Sequence, residues 1–207
     1  MTGSGKSTVA QLASGLYPPD TGEILLDGCS VEKISRSSLY KAMSLCVQKA
    51  RMFTGSISYN ISLGREDITQ DRIDRAIIDS CTDDVIAHKE EGKEFEVKAN
   101  GAGLSGGQKQ RIGIARALAG TPGLLIFDDS TSALDAATER RLLKNLSSLE
   151  NSPTMIFVSQ KIKTVMDLDK ILLIEDGRIS AYAPHKELLK ISDTYRKLCA
   201  LQNEEGV

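Results

Sequence analysis

Three short apolar runs constrain this chain more than any other feature: Leu124 to Phe127, Met155 to Val158 and Ile171 to Ile174. Each is too short for a buried helix, and the spacing between them leaves room for helices. They read as buried strands of a largely parallel sheet. Between the first two, Leu142, Leu143, Leu146 and Leu149 form one stripe at helical spacing. Near the start, Val9, Leu12, Ala13 and Leu16 recur in the same way, in a helix that stops before Pro18 and Pro19. The stretch from Gly22 to Gly28 reads as a strand, Glu-Ile-Leu-Leu, closed by an Asp27-Gly28 turn. From about Ile57 to Leu118 the pattern turns mainly helical, with Ile73, Ala76 and Ile77 on one face and Ile112, Ala115 and Leu118 on another. The expected fold is an α/β core, residues 1–56 and 119–207, interrupted by a helical insert at 57–118.

With 207 residues, the chain is long enough for one large domain or two lobes on a shared core. A net charge of -2 gives no bulk attraction to nucleic acid or anionic lipid. Cys29, Cys46, Cys81 and Cys199 are scattered, which argues against a disulfide framework or a zinc site and fits a reducing cytosol. No run approaches the roughly 18 apolar residues that would span a bilayer. The first motif begins at once, without a signal peptide, so upstream sequence is expected to be missing, along with any membrane-spanning part.

That first motif is Gly3-Ser4-Gly5-Lys6-Ser7-Thr8, running directly into a helix. Small residues let successive backbone N–H groups converge on phosphate oxygens, and the helix N-terminus adds its positive dipole end. Lys6 would reach the β- and γ-phosphates of a nucleotide, and the Ser7 hydroxyl would ligate Mg²⁺. The bland alternative is a Gly/Ser turn that caps a helix. A second helix start, Leu104-Ser105-Gly106-Gly107-Gln108, offers another anion-seeking N-terminus, or a flexible turn with an N-cap serine. Further on, the run Leu124 to Phe127 ends in Asp128 and Asp129, and Asp128 at such a strand end would hold Mg²⁺.

Taken in order, Gly3 to Thr8, Leu104 to Gln108 and Leu124 to Asp135 resemble the Walker A, signature, Walker B and D-loop motifs of the ABC ATPases, and the resemblance covers nearly the whole chain. Gln48, with Phe53 to Asn60 behind it, resembles the Q-loop of exporter cassettes and the segment that faces their transmembrane domains. His185 to Leu189 and Tyr195-Arg196 resemble the cassette's C-terminal helices. The resemblance implies a P-loop NTPase core with an inserted helical subdomain, binding ATP and Mg²⁺ on the cytoplasmic face of the plasma membrane. It implies as partners a second cassette and exporter transmembrane domains, and no nucleic acid. Two cassettes would sandwich two ATP molecules, each held by the Walker A residues of one subunit and by Ser105, Gly106, Gly107 and Gln108 of the other. Ser7, Gln48 and Asp128 would be the metal positions.

Two positions depart from the family pattern. Asp129 stands where the family usually has the Glu that orients the attacking water, and Gln160 stands where it usually has a His at the γ-phosphate. Asp is one methylene shorter, and Gln carries neither proton nor charge. Together they resemble the hydrolysis-impaired half of heterodimeric exporters, with Gln48, Asp129 and Gln160 as a slow catalytic set. Ala99-Asn100-Gly101 lacks the Glu that many exporters place before the signature. Two other readings stay open: a soluble ABC switch that performs no transport, and a truncated remnant.

Overall fold

The computed structural model describes residues 4–204. Helix α1 (Lys6–Ala13) opens it, held at its N-cap by Gly5 at φ 96. Only Ala10 of α1 is buried, and Val9 and Leu16 are exposed. The expected stripe is therefore displaced, because Leu16 lies beyond the helix end and α1 rests its Ala10 side on the sheet.

Strands β1 (Leu25–Leu26) and β2 (Cys29–Ser30) form a hairpin through Asp27 and Gly28, with φ 50 and 78 at the two turn residues, the twist that two-residue hairpin loops prefer. Helix α2 (Arg36–Ala42), capped by the Ser35 side chain, leads straight into β3 (Met43–Cys46). The inserted segment begins with β4 (Gly55–Ser56), α3 (Ile57–Ser62), α4 (Gln70–Asp79) and α5 (Asp83–Ile86). It continues through β5 (Glu96–Val97), which pairs antiparallel with β4, to the long α6 (Gly106–Ala119). The predicted faces of α4 and α6 are both buried.

After α6 come β6 (Leu124–Asp128), α7 (Ala136–Ser147) and β7 (Thr154–Val158). Strand β6 is central and parallel to β3 on one side and β7 on the other. Leu142 and Leu146 of α7 are buried, as its stripe requires. Helix α8 (Ile162–Val165) follows, then β8 (Ile171–Glu175), β9 (Arg178–Ala183), α9 (His185–Ile191) and α10 (Asp193–Glu204).

Here two expectations are corrected. The run Ile171 to Ile174 does not join the parallel sheet; β8 pairs antiparallel with β9. Asp176 and Gly177, at φ 49 and 74, turn the chain back within two residues and leave no length for a crossover. The third parallel strand is instead Met43 to Cys46, whose Ser44 and short length hide it from a search for apolar runs.

The main core runs from β6 and α7 through α6 into α3 and α4, so one apolar cluster underlies both parts of the proposed division at 57 and 118. A second, smaller core gathers Ile171, Ala183, Leu188 and Tyr195, the last sharing a 2.8 Å hydrogen bond with His185 Nδ1. Phe127 of β6 stacks on Phe157 of β7, with ring centroids 4.6 Å apart, and is 1% exposed. Phe127→Ala is therefore expected to lower unfolding free energy by about 3–5 kcal/mol, against less than about 0.5 kcal/mol for Ile179→Ala on the exposed face of β9. Denaturant titration of the two variants checks the contrast.

Candidate functional site

Strand β6 is buried over Leu125 to Asp128 and delivers two carboxylates at its end. Parallel pairing continues one residue beyond the apolar run, since Asp128 is registered against Val158. Asp129 then turns into the left-handed region at φ 49, its N–H donating to the Val158 carbonyl at 2.9 Å. That turn sends neighbouring carboxylates to different partners.

Asp128 accepts a 2.9 Å hydrogen bond from the Ser7 hydroxyl, bridging 121 residues of sequence. Asp129 accepts one of 2.7 Å from Gln48 Nε2, bridging 81 residues. Gln48 reaches it because it lies just past β3, which runs beside β6 in the same direction. Lys6 Nζ donates to Ser4 Oγ at 2.7 Å, at the start of α1. So Ser4, Lys6, Ser7, Gln48, Asp128 and Asp129 gather around one strand end. Gly5 occupies the left-handed N-cap, and Thr8 sits exposed in the first turn of α1. Gly3 lies outside the described residues.

Burial raises the Asp129 carboxyl above the ordinary aspartate range, and the neighbouring Asp128 charge adds to this; the Gln48 hydrogen bond, Lys161 and Lys6 oppose it. The carboxylate thus gathers proton affinity from its surroundings and gives part of it back to the carboxamide.

Gln160 is placed differently. It stands exposed beyond β7, and among the described residues no hydrogen bond joins its side chain to Gln48, Asp128 or Asp129. Its backbone is gripped from α10: Gln202 Nε2 donates to the Gln160 carbonyl at 2.6 Å, and Gln202 Oε1 accepts from the Ile162 N–H at 2.7 Å. Next to it, Lys161 pairs with Glu139 at 3.3 Å, and Glu139 also accepts from Thr131 and Thr164.

Ser105, Gly106, Gly107 and Gln108 form the N-terminus of α6. Ser105 Oγ accepts from the Gln108 N–H at 3.2 Å, and Gln108 Oε1 accepts from the Ser105 N–H at 2.9 Å. This reciprocal cap fixes the helix start without covering it. Among the described residues, no hydrogen bond links these four to Ser4 through Thr8. At the far end of the segment that follows β6, Asp135 caps α7 by accepting from the Ala137 and Thr138 N–H groups, both at 3.0 Å, and these bonds hold its carboxyl below the ordinary range.

Two polar side chains, Asn60 and Gln110, have structural roles that the sequence does not disclose. Asn60, expected on the segment facing a transmembrane partner, is fully buried. Its carboxamide accepts from the Phe53 N–H and donates to the Phe53 carbonyl, both at 2.8 Å, stapling the loop from within. Phe53 itself is 47% exposed, beneath the Arg116 guanidinium. It lines a groove of about 520 Å³ together with Tyr40, Lys49, Leu63 and Arg65. Gln110 is a buried polar residue inside a helix, which periodicity cannot flag.

An α/β fold whose phosphate-loop helix abuts the acidic end of a central parallel strand, with a capped signature helix beside it, defines a P-loop ATPase domain of the ABC type. The profile of the ABC transporter family matches residues 1–132, and the chain belongs to that family. It is 36% identical over 205 residues to an ATM1-type heavy metal exporter of Novosphingobium aromaticivorans, covering 99% of this chain and 34% of that protein. It is 41% identical over 197 residues to the uncharacterized ABC transporter ATP-binding protein YfiB of Bacillus subtilis, covering 95% of this chain and 34% of that protein. Over 202 residues it is 37% identical to the ATP-dependent lipid A-core flippase of Pasteurella multocida, covering 97% of this chain and 35% of the flippase. Among solved structures, a bacterial Atm1-family ABC exporter with ATP bound superposes with a TM-score of 0.92 at 35% identity, covering 98% of this chain and 36% of that one. The chain therefore spans about a third of the length of these relatives.

The Asp129 environment generates a pH prediction. A carboxamide N–H stabilises the charged form of the acid it donates to, so removing it must raise that acid's pKa further. Gln48→Ala is expected to move the Asp129 titration to higher pH, away from the ordinary value of 3.8. A carboxylate-resolved NMR titration of both proteins reads the shift. A movement to lower pH would show that the hydrogen bond does not form in solution.

Proposed function

We propose that this chain is the ATP-binding and ATP-hydrolysing part of an ABC exporter, acting as one half of a cassette dimer that sandwiches two ATP molecules. The observation that carries this reading is the convergence at the end of β6, where Ser7 meets Asp128 and Gln48 meets Asp129. In this reading the backbone and side chains from Gly3 to Thr8 cradle the phosphates, with the Lys6 ammonium on the β- and γ-oxygens. Ser7, Gln48 and Asp128 would hold Mg²⁺. One hydroxyl, one amide oxygen and one carboxylate suit a hard cation that takes its remaining ligands from phosphate and water. Among the described residues no group of three or more His, Cys, Asp or Glu could hold a metal alone, so the ion would depend on the nucleotide. When bound, it neutralises charge on the β- and γ-oxygens.

Asp129 would orient the attacking water, with Gln48 fixing its carboxylate. Its short side chain sets that carboxylate back from where a Glu would carry it, and a misplacement of about 1 Å can cost on the order of 10²-fold in rate. Gln160, exposed and gripped through its backbone, gives the γ-phosphate no charge. We therefore read this site as the slow one of an unequal pair. Ser105, Gly106, Gly107 and Gln108 would complete the partner's site, their reciprocal cap leaving the helix start exposed.

Among the described residues no helix is long and apolar enough to cross a membrane. Attachment to the cytoplasmic face of the membrane would come through transmembrane domains docked on the groove that Phe53 lines. Relatives described as a heavy metal exporter and a flippase support transport as the purpose.

Two experiments test this reading, each on the complete transporter. Lys6→Ala is expected to abolish ATP binding to this subunit, since the phosphate charge then goes uncompensated; retained micromolar affinity in direct nucleotide titration would reject the loop assignment. In the assembled pair, Ser105→Arg is expected to remove most steady-state ATPase activity, and Asp129→Asn to change it only modestly. Equal damage from both would replace the unequal pair with a self-sufficient homodimer that uses an Asp base.

A further inference from the structure

The carboxamide of Gln110 lies inside α6, 6% exposed, and contacts two loops distant in sequence. Its Nε2 donates to the Gln48 carbonyl and to Ser132 Oγ, both at 3.2 Å, and its Oε1 accepts from the Ala133 N–H at 2.9 Å. Both amide protons and one oxygen lone pair are thus engaged, as expected of a satisfied buried amide. The same two loops also meet α6 on either side of Gln110, at glycines. A Cβ on Gly107 would come within 2.9 Å of the Ala133 carbonyl oxygen, and one on Gly113 within 2.6 Å of the Ala50 Cβ. Further along the same helix, Arg116 donates to the carbonyls of Asn60 and Arg51, at 2.8 and 3.0 Å, and so holds the loop that lines the groove.

Resting on the ATPase reading above, we infer that Gln110 is a positioning residue that makes the Gln48 loop and the 132–133 loop move as one body with α6. Gln48 is the residue whose side chain holds Asp129. Ser105 caps the other end of the same rigid helix. A displacement imposed at Ser105 therefore reaches the Asp129 carboxylate through two hydrogen bonds, Gln110 to the Gln48 backbone and the Gln48 side chain to Asp129. The helix has 14 residues, about 21 Å of continuous backbone hydrogen bonding, which gives such a displacement a stiff path.

The decisive variant is Gln110→Glu, which keeps the shape and the acceptor for Ala133 but cannot donate to both loops at once, having no donor when ionised and one when protonated. In the assembled, complete transporter it is expected to lower this site's own kcat, read by single-turnover hydrolysis of the nucleotide held by this subunit, about tenfold or more, while leaving its ATP affinity within about twofold and the pair's steady-state rate nearly unchanged, because positioning is lost and ground-state binding is not. Ser132→Ala gives a second measure, since Ser132 is exposed and its loss is expected to disturb the fold little. It is expected to lower the same kcat about threefold alone and not at all in the Gln110→Glu background, the non-additivity of one shared network. Gln110→Asn, whose amide is a methylene too short, should not rescue. A Gln110→Glu protein with parental kcat at this site, or one whose loss of activity matches its loss of folded protein, overturns the inference. So do strictly additive effects of the two substitutions. Failure of the unmodified transporter to bind or hydrolyse ATP would instead reject the underlying ATPase reading.

Discussion

Parallel pairing of β6 with β3 on one side and β7 on the other determines everything at the site, because it fixes the direction in which the central strand ends. Both neighbours run the same way, so the loops after all three strands emerge at one edge of the sheet. Gln48 follows β3, Asp129 follows β6 and Gln160 follows β7. A buried strand has no solvent to satisfy its backbone, so its register is held by paired neighbours and apolar contacts, here Leu125, Ile126 and Phe127 at 1% exposure or less. Rigidity at the strand end then comes without a dedicated support, and Asp128 inherits it. Asp129, one residue on, leaves the sheet through a left-handed turn and needs Gln48 to fix it.

The helix α6 imposes the second constraint. Ser105 caps one end, Gln110 grips two loops in the middle, and Arg116 holds the groove loop near the other end. Buried polar groups in such a helix are costly unless satisfied, and Gln110 finds its partners on two loop backbones and a loop hydroxyl. The apolar residues Ile112, Ile114, Ala115 and Leu118 fix α6 in the core, while the polar ones tie the surrounding loops to it. One helix therefore joins an exposed capped terminus, the Gln48–Asp129 pair and the groove under Phe53.

How far the sequence discloses this depends on whether the deciding interaction is local. The phosphate loop, the Ser105 cap and the Asp128–Asp129 pair are legible because short patterns carry their own backbone chemistry: a glycine before a helix, a hydroxyl with a glutamine three residues on, carboxylates closing an apolar strand. The Asp27-Gly28 hairpin is legible for the same reason. Asp176-Gly177 carries the same signal, yet the apolar run before it resembles a buried parallel strand, and only the pairing partner decides between the two. Met43 to Cys46 escapes notice because a four-residue strand with a serine and a cysteine has no period to count. Asn60 and Gln110 escape because a polar side chain with long-range backbone partners is indistinguishable, in one dimension, from one facing water.

The unequal quality of the two catalytic departures follows from the same geometry. Asp129 keeps a carboxyl and a hydrogen-bonded orienter, and burial raises its proton affinity, which would suit the proposed base at shortened reach. Gln160 keeps only its place. Its backbone is pinned by Gln202 from the C-terminal helix, and the adjacent cation, Lys161, is committed to Glu139. A substitution that restored charge at 160 would still meet the shorter carboxylate at 129, and one that lengthened 129 would still lack the charge at 160. If both groups act on one transition state, as proposed, their effects are not additive, so neither change alone would carry the benefit it would have beside the other. Slow turnover at this site would then be a property of the pair, and recovering it would require both positions to change together.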